Sequence, residues 1–231
     1  MAVYCRSSIF NNATAPPPGK EIEEYTIELI FKTTDTYIHA GVALSALPLF
    51  MCQQNNHYTN NPSVMIGVEA GYLFLWFYNS WKYFDYVSDN KYHKVVCLRK
   101  NKTTYLYLDG KLKISNTHDN FSSGLPQLPN SNVCINWNDY VGQTSSAYDI
   151  NGTHTFNLQY FKLYDKALNE NEFFKNISYS PLYSIPGIFK YIKKDSDLYL
   201  KDWSGNNNDF KLYKPTNCKS DIIISNLSFK E

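Results

Sequence analysis

The sequence predicts an all-β protein built from antiparallel strands, either a sandwich or a barrel. Short apolar and aromatic runs follow one another at regular spacing, and turns rich in Asn, Gly and Pro separate them. One pair of runs, at residues 72–86, is strongly aromatic, and only one segment, beginning at Asn169, carries convincing helix signals. A chain of 231 residues is long enough to bury a core for such a fold without disulfides.

The first 20 residues are predicted to hold one short strand and a Pro-rich arm. Residues 3–10 form the run that favours the strand. Pro16, Pro17 and Pro18 precede Gly19. Because prolines neither donate to a sheet nor continue a helix, residues 14–20 are predicted to be a linker or a loop over a sheet edge.

The main body is predicted to be one β domain at residues 21–179. Its strands are predicted at residues 25–33, 41–44, 49–53, 64–70, 72–78, 81–87, 94–99, 103–108, 111–115, 133–137 and 155–164. Asp109-Gly110 suits a type I′ turn, whose central residues need positive φ, so the strands on either side of it are predicted to form a hairpin. The polar loop at residues 116–132 is the longest excursion, and loops of that length are often functional.

Aromatic residues fill both faces of the hairpin predicted at residues 72–86. With Asn79-Ser80 as its two-residue turn, Tyr78 lies opposite Trp81 and Trp76 lies opposite Tyr83. Alternation places one set of residues on the first face: Tyr72, Phe74, Trp76, Tyr78, Trp81 and Tyr83. The second face carries Leu73, Leu75, Phe77, Phe84 and Tyr86, with Lys82 near the turn. A half-solvated sheet needs one apolar face, so the other must meet a sheet layer, a partner molecule or a flat ligand such as a sugar ring.

The C-terminal part is predicted to contain one helix and further strands. Asn169 precedes Glu172 at the spacing of a capping box, Phe173 and Phe174 supply an apolar face, and the helix is predicted to end by about Pro181. Strands are predicted at residues 187–192, 198–203, 209–213 and 221–229. Since about 50 residues bury little core alone, residues 180–231 are predicted to be a β appendix that packs on the sandwich or on a neighbouring subunit.

Composition argues against several classes of function. Lys and Arg number 22 against 21 Asp and Glu, and the net charge of +1 is scattered, so no nucleic-acid footprint is expected. The five cysteines form no C-x-x-C pair and indicate neither a disulfide framework nor a zinc site. We also expect no membrane insertion, because no apolar span reaches membrane length. The N-terminus does not resemble a leader, so we expect synthesis in the cytoplasm of a host cell.

Three short motifs follow one another in an order typical of one family. They are YTIEL at residues 25–29, YHKVV at 92–96 followed by YLYLDGKL at 105–112, and LQYFKLYDKALNENE at 158–172. Together they resemble the laminin G-like domains of the concanavalin A-like jelly-roll superfamily over about residues 21–172, with Tyr92 in place of the family's tryptophan. DWSGNNND at residues 202–209 also resembles a family turn, which usually precedes the first sandwich strands. Its place here implies either a permuted strand order or pairing with a neighbouring chain.

The resemblance implies an all-β fold: an antiparallel β-sandwich of jelly-roll, concanavalin A-like type with one short helix and extra C-terminal strands. Fold alone does not give function. Glycoside hydrolases of this superfamily use a Glu-x-Asp-x-Glu strand that puts paired carboxylates on one face, and the sequence has no such strand. Glu21, Glu23, Glu24 and Glu28 form the nearest acidic cluster, which is expected to be a solvated edge. We therefore expect no enzymatic activity and keep a glycan-processing enzyme as the last alternative.

Two sets of residues are candidate binding sites. The glycan set combines aromatic platforms with polar hydrogen bonders: Trp76, Tyr78, Trp81, Tyr83, Asn136, Trp137, Asp139 and Tyr140. The calcium set supplies oxygen ligands, as rim loops of the resembled domains do: Asp139, Asp149, Asn151, Asp202, Asn206 and Asp209. Each set has a structural alternative, because Trp76 and Trp81 could fill the inter-sheet layer and Asp and Asn are common in turns without ions.

The predicted function is a non-catalytic binding or adhesion module on a virion, recognising a surface glycan or a neighbouring structural protein. The abundance of Asn and of Tyr, at 20 residues, is typical of AT-rich genomes. Strands at the chain ends can add to neighbouring sheets, so a homo-oligomer is expected. The alternative is a free lectin-like carbohydrate-binding protein that becomes extracellular by a non-classical route.

Overall fold

The structure is a computed structural model that describes residues 12–15, 19–20, 22–34, 36, 47–52, 64–77, 80–117, 133–135, 156–173, 181, 183–185, 191–194 and 197–213. Within these ranges it contains antiparallel strands and one short helix. In chain order the strands are β1 (Asn12–Ala15), β2 (Tyr25–Thr33), β3 (Leu47–Cys52), β4 (Val64–Glu69), β5 (Tyr72–Phe77), β6 (Ser80–Tyr86), β7 (His93–Lys100), β8 (Thr103–Leu108), β9 (Lys111–Thr117), β10 (Val133–Ile135), β11 (Phe156–Tyr164), β12 (Tyr183–Ile185), β13 (Tyr191–Lys194), β14 (Asp197–Leu200) and β15 (Phe210–Tyr213). Helix α1 spans Glu170–Phe173.

The strands form two sheets. The larger sheet has nine strands in the order β13-β14-β15-β1-β10-β3-β4-β5-β6, and the smaller has six in the order β12-β11-β2-β7-β8-β9. Within the described residues, every strand pair is antiparallel, including the long β2–β11 and β2–β7 pairs. The all-β sandwich with one short helix and extra C-terminal strands, predicted from the sequence, is therefore confirmed.

The core lies between the inner faces of the two sheets. Alternate residues of β2, from Tyr25 to Phe31, are fully buried there. Phe161 of β11 stacks on Phe50 of β3 with ring centroids 5.9 Å apart, and it meets Phe210 of β15 edge to face at 6.0 Å. Phe161 of the smaller sheet thus packs against both a central strand and a C-terminal strand of the larger one.

The outer face of the smaller sheet has a cover of its own. Residues 165–173, which include α1, follow β11 and place Leu168 and Phe173 over Val96, Leu98 and Tyr107. Thr26 fixes this segment, since its hydroxyl donates to the Lys166 carbonyl at 3.0 Å and accepts from the Leu168 N–H at 2.9 Å. The central strands of this sheet are consequently buried on both faces.

Three tight turns set the register of neighbouring strands. Both central residues have positive φ at Ala70-Gly71 (52° and 85°), at Asn101-Lys102 (49° and 63°) and at Asp109-Gly110 (49° and 79°). This is the pattern of type I′ turns, whose twist matches that of the flanking strands. The type I′ turn predicted at Asp109-Gly110 is confirmed.

Helix α1 begins as the sequence predicts. The Asn169 N–H donates to the Glu172 carboxylate at 2.5 Å, and the Glu172 N–H donates to the Asn169 carbonyl at 2.7 Å. The carboxylate of Glu172 therefore satisfies a backbone donor at the helix start, as in a capping box. Residues 174–180, where the helix was predicted to continue, lie outside the described residues.

The N-terminal segment differs from its prediction in one respect. The sequence predicts that Thr14 and Ala15 belong to a linker or loop, but they are the last two residues of β1. This strand pairs with β10 on one side and β15 on the other. The prediction was wrong because the ring constraint begins only at Pro16, so both residues can still donate to the ladder. The strands predicted at residues 3–10, 41–44 and 221–229 and most of the loop at 116–132 lie outside the described residues.

The C-terminal strands extend the larger sheet. β15 pairs with β1 and β14, and β14 pairs with β13. Within the described residues, no helix is long and apolar enough to cross a membrane. The proposed division into an arm at 1–20, a domain at 21–179 and an appendix at 180–231 stays a prediction.

Replacing Phe210 by Ala tests whether the C-terminal strands belong to the main core. Phe210 is fully buried between Phe161 and Tyr183, so Phe210→Ala should lower the free energy of unfolding by about 3–5 kcal/mol in one cooperative transition. Urea denaturation followed by tryptophan fluorescence measures it. Leu112→Ala, at a side chain that is 51% exposed, is the matched control and should change stability by less than about 0.5 kcal/mol. An unchanged main transition in Phe210→Ala would mean that these strands unfold separately.

Candidate functional site

The aromatic hairpin formed by β5 and β6 has a different turn from the one predicted. Phe77 pairs with Ser80 and Trp76 with Trp81, so the connecting residues are 78–79 and not Asn79-Ser80. Trp76 therefore does not face Tyr83, whose partner is Phe74. The predicted register was wrong because side-chain alternation does not distinguish the two turns. Moving the turn by one residue changes which residues pair, but every side chain near the turn stays on the same face of the sheet.

A bulge further along the same pair changes one face assignment. Between Phe74–Tyr83 and Tyr72–Tyr86, β5 advances by two residues and β6 by three. Tyr86, predicted to lie on the same face as Leu73 and Leu75, instead lies beside Tyr72, with the two rings edge to face at 5.4 Å and both side chains 45% exposed. Alternation along a strand fails at a bulge, and nothing in the local sequence marks this one.

The outer face of the hairpin is buried at one end and exposed at the other. Phe74 is 2% exposed and Trp76 is 5% exposed, so neither ring is open to a ligand in this conformation. A glycan contact by Trp76 stays a prediction that would require this region to rearrange. The side chain of Trp81 and the predicted glycan residues Tyr78, Asn136, Trp137, Asp139 and Tyr140 lie outside the described residues.

Three tyrosines remain exposed at the other end, and we call Tyr72, Tyr83 and Tyr86 with Glu69 the tyrosine cluster. Tyr83 is 49% exposed, and its hydroxyl donates to the Glu69 carboxylate. Partial burial and this bond to Glu69 raise the pKa of Tyr83 to about 12, so the phenol is protonated at neutral pH. The cluster thus presents aromatic rings beside a carboxylate that accepts hydrogen bonds.

Local backbone geometry holds the cluster in place. Gly71, at φ +85° in the β4–β5 turn, lies against the ring of Tyr86, and a Cβ there would collide with that ring. The Val87 N–H donates to the Gly71 carbonyl at 2.8 Å, which fixes the end of β6 to the same turn. Asp85 accepts from Lys113 of β9 at 2.5 Å and ties this edge of the larger sheet to the edge of the smaller one.

Apolar ring faces next to a hydrogen-bond acceptor are the chemistry that binds the C–H face and hydroxyl rim of a sugar. Sequence reasoning identified Tyr83 but missed Tyr72, Tyr86 and Glu69 as its neighbours. Tyr72 was placed on the correct face, and Glu69 follows from the β4–β5 turn, in which it pairs with Tyr72. The sequence carries no signal for the position of the Tyr86 ring, because that position depends on the bulge.

The turn at residues 202–209 contains three of the predicted calcium ligands. Asp202 is 1% exposed, and its carboxylate accepts from the backbone N–H groups of Ser184, Ser204 and Asn208 and from the Ser204 hydroxyl, at 2.6–3.1 Å. Asp209 accepts from the Asp202 N–H at 2.9 Å and pairs with Lys201 at 3.2 Å. Protein donors therefore occupy both carboxylates.

Calcium binding at this turn stays a prediction. The side-chain amide of Asn206 donates to the Pro181 carbonyl at 3.3 Å and to the Ser204 hydroxyl at 3.1 Å. Among the described residues, no group of three or more His, Cys, Asp or Glu side chains could hold a metal ion. The other predicted ligands, Asp139, Asp149 and Asn151, lie outside the described residues.

His93 forms a second polar cluster that the sequence did not reveal. Its Nδ1 lies 2.8 Å from Asp109 of the β8–β9 turn, and its Nε2 lies 3.0 Å from Asp89, which precedes β7. Burial lowers the pKa of His93, but the hydrogen bonds to Asp109 and Asp89 outweigh it and raise the pKa above its usual value. The hydrogen bond to His93, aided by Lys91, holds the pKa of Asp89 well below its usual range. The cluster ties two connections together through a histidine ring held between two carboxylates.

Comparison with known proteins identifies the fold. No protein-family model and no curated protein sequence matches the chain. Among solved structures, a Bacteroides ovatus protein provisionally assigned as carbohydrate-binding superposes with a TM-score of 0.57 at 12% identity, over 87% of this chain and 58% of that one. The chain has the concanavalin A-like, laminin G-like jelly-roll fold. The fold implied by the sequence motifs is confirmed.

Two further structures are similar at lower scores. Domains LG4-5 of the mouse laminin α1 chain give a TM-score of 0.46 at 12% identity, covering 82% of this chain and 49% of that one. A heptameric pentraxin from Limulus polyphemus gives 0.45 at 14% identity, covering 71% and 80%. The present chain thus spans little more than half of the Bacteroides protein and about half of the laminin fragment.

The His93 cluster predicts a pH-dependent contribution to stability. Because the folded-state pKa of His93 exceeds its unfolded value of about 6.5, the contribution is fully present below that pH and is lost as the pH rises through the folded-state pKa. The difference in unfolding free energy between wild type and His93→Gln should therefore be largest near pH 5.5 and shrink above about pH 6.5. Urea denaturation across this range measures it. A difference that stays constant with pH would contradict a charged His93.

Proposed function

We propose that this protein is a non-catalytic binding module that recognises carbohydrate through the tyrosine cluster. The observation that carries the proposal is the exposed set of rings at Tyr72, Tyr83 and Tyr86 next to the Glu69 carboxylate, on a concanavalin A-like sandwich. The provisional assignment of the Bacteroides protein to carbohydrate binding supports the same class of ligand.

The energetics of the cluster suit ligand binding. Half-exposed aromatic rings gain by covering their apolar faces, and a sugar can do so while its hydroxyls bond to Glu69 or remain in water. Tyr72 and Tyr86 already support each other edge to face, and Tyr83 is fixed by its hydrogen bond to Glu69. Little side-chain freedom is therefore lost when a ligand binds.

The hydrogen bonds and ion pairs of several carboxyl groups support a non-catalytic role. Glu28 is 3% exposed, accepts a hydrogen bond from Tyr160 at 2.5 Å and lies 3.8 Å from the Lys94 ammonium. Asp202 is saturated by four donors, and Asp89 and Asp109 hold His93. These carboxyl groups serve the fold. A glycan-processing enzyme is the alternative, and chromatographic analysis of bound oligosaccharides after long incubation would reveal it as cleavage.

We further propose a virion surface as the setting of this module, with adhesion or attachment to a neighbouring structural protein as its task. The bias toward Asn and Tyr supports an AT-rich genome as the source. Extracellular location by a non-classical route is the alternative, and homo-oligomerisation is part of the proposal. Mass spectrometry of density-purified particles tests the setting, and light scattering after size-exclusion chromatography tests oligomerisation; a protein found only in the particle-free fraction would contradict the virion proposal.

Truncation of Tyr83 tests the binding proposal. On a glycan microarray, Tyr83→Ala should reduce binding to the oligosaccharides recognised by wild type about tenfold, because one aromatic contact is worth roughly 1.4 kcal/mol. Tyr83→Phe keeps the ring but loses the bond to Glu69, so it should retain most of the binding. Tyr92→Ala is the matched control, because Tyr92 is 53% exposed but lies at the smaller sheet, where the Lys32 ammonium is 5.2 Å from the centroid of its ring. Equal losses in Tyr83→Ala and Tyr92→Ala, or no binding by wild type, would refute the proposal.

A further inference from the structure

Among the described residues, Trp203 is an exposed aromatic side chain that lies outside the tyrosine cluster and takes no part in the contacts of Asp202, Asn206 and Asp209 described above. Its side chain is 49% exposed in the turn between β14 and β15. Within the described part of the chain, the indole has no aromatic or cationic partner. A large ring in that position is open to a ligand.

The backbone under the indole is rigid. The Trp203 N–H donates to the Ser184 carbonyl at 2.9 Å, and the neighbouring Asp202 carboxylate receives four hydrogen bonds from Ser184, Ser204 and Asn208. Gly205 at φ 89° and Asn207 at φ 57° close the turn. A platform that is already ordered loses little conformational entropy on binding.

The turn that carries the indole is polar but uncharged. Residues 203–208 read WSGNNN and contain no ionisable side chain, and Asn206 and Asn207 are exposed. The charges at either side are neutralised within the fold, because Lys201 pairs with Asp209 at 3.2 Å and Asp202 is buried among its donors. A partner protein that buried Trp203 would be expected to need apolar neighbours around it. Amide groups beside an indole instead suit a ligand with one apolar face and a rim of hydroxyls.

We infer that the Trp203 turn is a second carbohydrate-binding site, which takes the face of a neutral pyranose on the indole and its hydroxyls on the exposed side-chain amide of Asn207. The inference rests on the proposed class of ligand but on a different surface. Five strand spacings separate β15 from β5 in the larger sheet, or about 24 Å at about 4.8 Å each. The two sites therefore contact different residues of one long glycan, or different glycans on one surface, and strengthen each other through avidity.

Binding of four variants to one glycan microarray tests this inference. The array carries neutral glucans, galactans, xylans and N-acetylated oligosaccharides together with sialylated and sulfated ones. Trp203→Ala should weaken binding to neutral oligosaccharides about tenfold, and Trp203→Phe, which keeps a smaller ring, should weaken it less. Leu112→Ala is the matched control, because it removes an equally exposed apolar side chain on β9 and should leave binding within about twofold. Tyr83→Ala reports on the tyrosine cluster alone.

Each pattern of losses has a separate meaning. Loss in Trp203→Ala with normal binding in Tyr83→Ala supports the Trp203 site and overturns the tyrosine cluster, and the reverse pattern overturns the Trp203 site only. Loss in both, with a larger loss in the double variant on densely printed glycans than on sparse ones, supports two linked sites. Unchanged binding in Trp203→Ala, or a preference of wild type for sialylated or sulfated glycans that Trp203→Ala abolishes, overturns the inference. Urea midpoints equal to wild type show that the variants fold.

Discussion

Contact between the inner faces of the two sheets is the interaction on which the rest of the structure depends. Phe161 joins them, because it stacks on Phe50 of one central strand and meets Phe210 of a C-terminal strand. Burial of such side chains is the main favourable term in folding, and neither sheet could bury its inner face alone. The exposed sites are therefore features of the surface of one core, and the C-terminal strands are held by that core as much as by strand pairing.

Three polar groups of the described residues fix connections between strands. Asp202 closes the turn that carries Trp203, His93 joins two connections through Asp89 and Asp109, and Thr26 anchors the segment that covers the smaller sheet. In each case a side chain satisfies backbone or charged groups that would otherwise lie partly buried without partners. The consequence for function concerns the Trp203 turn, because the hydrogen bonds to Asp202 hold the backbone that carries the exposed indole.

The two candidate sites combine the same chemistry in different ways. The tyrosine cluster places three rings and one carboxylate on neighbouring strands of the larger sheet, whereas the Trp203 turn places one indole next to three asparagines in sequence. Both are formed by aromatic rings that the packed sheets leave about half exposed. An exposed aromatic ring on a rigid support is costly to leave in water and is commonly a place where binding energy is gained.

The sequence by itself determined the antiparallel β class, the I′ turn at Asp109-Gly110 and the start of α1. It also determined which face of the sheet the β5 side chains occupy. All of these depend on residues that are neighbours in the chain. Only the tertiary structure decided that Tyr86 joins Tyr72, that β1 lies inside a sheet, that Asp89 and Asp109 meet at His93, and that Trp76 is buried while Trp203 is exposed. These outcomes depend on a bulge, on pairing between distant strands and on which surfaces the packed sheets cover. Side-chain alternation carries no information about any of the three.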